Sequence, residues 1–151
     1  MKRIICIGNA FQDGDTAGAR VLARLADKCL PEDVEVVDGG LRGLDLLRLV
    51  EDSERVAFVD AVCGFAAPGE IVELEGEALG NIAAEGYGHA GGFSYFLGAL
   101  PHLLKAPVPF RMVGLEAPIS EDGIEDAAQR ALAFATFAPD ACPGCPGSVG
   151  R

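Results

Sequence analysis

Three side chains in this sequence stand where apolar runs or their connections end, and together they could hold a metal ion. Asp15 follows the run Ile4 to Ile7, Asp60 lies inside the run Val56 to Val62, and His89 sits in a glycine-rich stretch. Two carboxylates and an imidazole suit a borderline divalent ion such as zinc or nickel, with positions left open for water or a substrate group. Val59, Ala61 and Val62 around Asp60 make a bare buried carboxylate costly, so a partner must compensate it; the plainer reading is an acid capping a turn. Gly86, Gly88, Gly91 and Gly92 allow close backbone approach near His89, which otherwise reads as a loop histidine without a task. Asp38, ahead of Gly39 and Gly40, adds a carboxylate at the end of a second apolar run and is a general-base candidate by position; a plain turn explains it equally. His102, just past Pro101, reads as a surface or capping residue.

Other chemistries fit less well. A phosphate-binding loop offers bare backbone N–H groups and often a lysine, whereas the stretch after Ile7 carries Asp13 and Asp15, which repel phosphate and attract a cation. A flavodoxin-like nucleotide site is therefore the weakest of the readings. No serine lies in a nucleophile-elbow setting. Cys142 and Cys145 form a single CxxC, half of a zinc site, without the strand-then-helix setting of a redox motif. The five cysteines, with Cys6 and Cys63 in apolar surroundings, suggest buried thiols in a reducing compartment rather than a disulfide framework.

These residues need a scaffold, and the chain alternates strand and helix patterns. Strands are expected at Ile4 to Ile7, Val34 to Val37, Val56 to Val62, Ile71 to Leu74 and Phe110 to Leu115. Helices are expected at Ala17 to Lys28, Leu41 to Val50, Gly92 to Leu104 with Pro101 as a kink or early stop, and Ser120 to Phe137. Glu77 to Gly91 reads as a long functional loop. Such alternation implies an α/β fold, a three-layer α/β/α sandwich around a mostly parallel sheet, in which strand carboxyl ends bring distant residues together. Residues 1–138 make one domain and 139–151 a Pro/Gly/Cys-rich tail.

With 151 residues, half of them hydrophobic, the chain can bury a core without disulfides. Its formal charge of −11 excludes nucleic acid and anionic membrane as natural partners and suits a cation, a basic peptide or a protein. No apolar run is long enough for a membrane span or a signal peptide, so a soluble cytoplasmic protein is expected, of undetermined oligomeric state.

In order and spacing, several segments resemble the nickel-iron hydrogenase maturation endopeptidases. They are Gly8-Asn9 with Asp15 and Gly18; Asp38-Gly39-Gly40 with Gly43; Val59-Asp60-Ala61 followed by Pro68-Gly69; His89 with Gly92; and Val113-Gly114 before the last helix. The resemblance covers roughly residues 3–137. It implies an enzyme that removes the C-terminal extension of a hydrogenase large-subunit precursor after nickel insertion, with Asp15, Asp60 and His89 engaging nickel supplied by that precursor. No organic cofactor is implied. The chain departs from the family pattern at Gly14, where an adjacent acid is usual, at Leu41 in place of Thr, and at Tyr87-Gly88 before the histidine. A non-catalytic module or chaperone that docks on the nickel site is the alternative.

Overall fold

The computed structural model describes residues 1–7, 17–40, 46–62, 66–74 and 99–136. Its centre is a five-stranded sheet in the order β2-β1-β3-β5-β4, made of β1 (Lys2–Ile7), β2 (Val34–Gly40), β3 (Arg55–Val62), β4 (Ile71–Leu74) and β5 (Phe110–Glu116). Helix α1 (Ala17–Ala26) joins β1 to β2, α2 (Leu47–Glu51) precedes β3, and α3 (Glu121–Thr136) follows β5. The first three strands and β5 are mutually parallel, and β4 runs antiparallel along the outer side of β5.

The alternation of side chains along β1 and β3 divides the core into two layers. Ile4, Cys6, Ala57 and Val59 face α1 and α3 with Val21, Leu25, Ile124 and Ala131. Ile5, Ile7, Val56 and Phe58 face the other way, against Leu46, Val50 and Leu100. Helices thus cover both faces, giving the expected α/β/α sandwich. The central strands read as continuous apolar runs because both of their faces are buried. Each fully buried Ile, Leu or Phe contributes about 1.5–3 kcal/mol, so the two layers supply the main driving force for folding.

One local detail differs from the pattern reading, and two expected helices are described only in part. Asp38, Gly39 and Gly40 belong to β2 itself rather than to a turn after it: Cys6 pairs with Asp38 and Ile7 with Gly40, across a register shift. Glycine at position 39 fits the strand because a Cβ there would lie 2.7 Å from the Ile7 side chain and 2.8 Å from that of Ile5. Of the helix expected at Gly92 to Leu104, residues 92–98 lie outside the described residues; the helical turn at 99–103 contains Pro101, and the Leu104 N–H reaches the Leu100 carbonyl at 3.2 Å. Of the helix expected at Leu41 to Val50, residues 41–45 lie outside the described residues, and α2 is short. The loop at Glu77 to Gly91 and the tail from 139 lie outside them too. Among the described residues no helix is long and apolar enough to cross a membrane.

Candidate functional site

The strand order places a topological switch point between β1 and β3. From β1 the chain moves through α1 to β2 on one side; from β2 it returns past β1 to β3 on the other. In open α/β sheets the crevice outside the strand carboxyl ends at such a point is where ligands bind. Asp60 stands there, near the end of β3.

Its burial is nearly complete at 6% exposure, and its Oδ1 accepts the Ala61 N–H at 2.8 Å. That bond, made to the next residue of the same strand, meets part of the cost of an acid among apolar neighbours. Gly114 lies directly across from it on β5. A Cβ on Gly114 would come within 2.8 Å of both Val62 methyls, so glycine is what lets β3 and β5 pack side by side there.

The start of α1 is held to the same edge. A Cβ on Gly18 would collide with the Ile7 carbonyl oxygen and lie 2.9 Å from its carbon, so the first turn of α1 rests directly on the end of β1. Arg20, half a turn on, donates to the Ile119 carbonyl at 3.3 Å and to Glu121 at 2.6 Å. Both ends of the stretch that carries Asp15 are therefore fixed at the carboxyl edge, beside β3.

Asp38 is exposed at the end of β2. Its register partner is Cys6, which belongs to the layer against α1, whereas Asp60 shares the face of Phe58. With β1 between them and opposite faces presented, the two acids share an edge but not a side of the sheet. Asp38 does act on Cys6: burial first, and then this neighbouring carboxylate, push the thiol up to about 12. Cys6 is thus a protonated core residue and no nucleophile. Asp15 and His89 lie outside the described residues, as do Cys63, Cys142 and Cys145. Cys29 is free and exposed, and so is the ring of His102. Among the described residues no three His, Cys, Asp or Glu side chains gather as a metal site, and Asp60 is the one expected ligand within them.

One acid at this edge escaped the pattern reading. Glu116 closes β5, is 6% exposed, and accepts the Ala66 N–H at 3.0 Å. Across the ladder it pairs with Val62, on the face that Asp60 occupies. A lone acid ending an apolar run was the signal, the same one that singled out Asp60.

Comparison with known proteins agrees with this architecture. The hydrogenase maturating endopeptidase HybD from E. coli superposes with a TM-score of 0.69 at 23% identity, covering 88% of each chain, which shows a common fold. A Methanocaldococcus jannaschii protein provisionally named a hydrogenase maturation protease is 36% identical over 81 residues, 52% of this chain and 53% of its own length. The hydrogenase expression/formation protein HupD of Rhodobacter capsulatus is 35% identical over 72 residues, 47% of this chain and 34% of its own. The aligned stretches thus span about half of one of these curated relatives and about a third of the other. A family model described as hydrogenase maturation protease matches residues 19–137, from within α1 to just past α3, and by that match the chain belongs to the hydrogenase maturation protease family.

Proposed function

We propose that this chain is an endopeptidase that removes the C-terminal extension of a nickel-iron hydrogenase large-subunit precursor once nickel has been inserted, and that Asp15, Asp60 and His89 engage the precursor's nickel. The observation that carries the reading is Asp60: a carboxylate buried to 6% exposure at the switch point of the sheet, beside the strand end from which the Asp15 stretch departs. A buried acid at a ligand-binding edge has a task more often than one on a solvated surface. Membership of a protease family, with a Cys6 thiol held protonated at about 12, fits a reaction whose nucleophile is water. A divalent ion beside the scissile amide polarises its carbonyl and lowers the pKa of bound water. In this reading the ion is part of the substrate and marks a precursor as ready for cleavage.

The test incubates nickel-loaded and nickel-free precursor with wild type and with Asp15→Ala, Asp60→Ala and His89→Ala, and follows precursor mass. Shortening by wild type alone, and of the nickel-loaded form alone, is expected. A precursor that binds wild type yet keeps its length would show a docking module in place of a protease. Cleavage unaffected by the three substitutions would remove these residues from the site.

A further inference from the structure

We infer that Glu116 is a positioning residue for Asp60, holding the end of β3 from both sides; the inference rests on the role proposed for Asp60. The chain leaves β3 at Val62, which faces Glu116 across the ladder, and four residues later Ala66 donates its N–H to the Glu116 carboxylate at 3.0 Å. A single residue therefore secures both ends of the excursion that follows Asp60. Glu116 also donates its own N–H to the Glu70 carbonyl at 3.0 Å, and the Gly69 N–H reaches the Ala117 carbonyl at 3.3 Å. These bonds lay residues 66–70 onto the end of β5.

Asp60 stands two residues before Val62 and keeps its orientation through the amide of Ala61, one residue before Val62. The bond between Ala61 and Asp60 therefore sits immediately before the last pair of the β3–β5 ladder, the pair that Glu116 closes. A buried side-chain oxygen bonded to a backbone N–H is a directional restraint, and both Glu116 and Asp60 are buried to 6% exposure. Glu116 acts through hydrogen-bond acceptance rather than through direct contact with substrate, and this distinguishes it from the three residues assigned to nickel.

Amide hydrogen exchange on the free protein tests this without precursor. Glu116→Ala is expected to speed exchange of both the Ala66 and Ala61 amides about tenfold or more, as residues supporting a site do for its function, while Glu116→Gln, which still offers a carbonyl oxygen to Ala66, stays near wild type. In the cleavage assay Glu116→Ala lowers kcat by about 10–100-fold with KM little changed, and Glu116→Gln restores it. If Glu116→Ala fails to fold, Glu116→Met, which fills the space and accepts nothing, replaces it. Faster exchange confined to Ala66, or a Gln variant as impaired as the Ala one, overturns the inference. Wild type that leaves nickel-loaded precursor uncut overturns the protease reading instead, and the exchange result stands apart from it.

Discussion

The two ends of the central sheet use their charged residues in opposite ways. At the amino end, Arg3 is 8% exposed and fully engaged: Nε meets Glu35 at 2.6 Å, Nη1 meets Ser53 at 2.8 Å and the Leu49 carbonyl at 3.0 Å, and Nη2 meets Asp52 at 3.4 Å. Beside it Lys2 pairs with Asp33, the N-terminal amine with Glu54, and Arg55 donates to the Phe134 carbonyl at the end of α3 while stacking on the Phe134 ring. Cations there tie strands to the turns that precede them. At the carboxyl end the buried charges are acids, Asp60 and Glu116, bonded to the amides of Ala61 and Ala66, with Gly18, Gly39 and Gly114 letting backbones close in around them. One end uses its cations for cohesion and the other buries acids, and under the proposed function that acidic end is where a cation-bearing substrate is read.

Substitutions that separate cohesion from chemistry sharpen this contrast. The largest effect is expected from Asp60→Asn, which should cut the cleavage rate about 10²–10³-fold, the scale of losing one electrostatic contact at a reacting centre, while leaving the melting temperature equal to or above that of wild type. A melting temperature that falls with activity would make Asp60 structural and dissolve the distinction. Next comes Gly18→Ala. The added methyl has no room against Ile7, so stability should drop by about 1–3 kcal/mol or more in urea unfolding, with cleavage lost as well because the same contact sets the start of α1 against the end of β1.

Arg3→Ala is the mirror experiment. Removing its buried hydrogen bonds takes the guanidinium donor away from the Ser53 hydroxyl, while the Leu49 carbonyl still accepts from Ser53, for a loss of about 1–3 kcal/mol, and cleavage per folded molecule should not change. The smallest effect belongs to the ion ladder between α1 and α3. Hydrogen bonds from Lys28, Arg24 and Gln129 draw the Glu125 carboxyl down from 4.5 to about 2. A depressed folded-state value means stability present above the unfolded value and lost as pH falls through the folded one. The melting-temperature advantage of wild type over Glu125→Gln should therefore be steady above pH 4.5 and shrink toward pH 2. The exposed partners keep it small.

Much of this was legible in the residues. Continuous apolar runs marked the strands, which are buried on both faces, and Val21 and Leu25 at helical spacing marked the buried stripe of α1, because hydrophobic patterning reports burial directly. Asp60 could be found because an acid inside an apolar run needs a reason. What the pattern missed is tertiary. Asp38-Gly39-Gly40 carries strong turn signals, yet it continues β2 because the β1 ladder and the Ile5 and Ile7 side chains take up its backbone and its missing Cβ. Glu116 was passed over because its partner Ala66 belongs to a different element, 50 positions away, and no local spacing announces such a bond. That Asp38 and Asp60 occupy opposite faces follows from strand register, which one sequence does not reveal.

The contact between Gly18 and Ile7 also bears on how specificity could diverge or be engineered. Because the helix start is docked against the strand end, the points between which the nine positions 8–16 connect belong to the scaffold, and those positions can be exchanged as a cassette. Changing the length of such a cassette costs little conformational entropy, about 0.6 kcal/mol per doubling. Transplanting that stretch from a relative should therefore carry substrate preference with it while sheet and helices stay as they are, making this chain a chassis on which recognition can be exchanged.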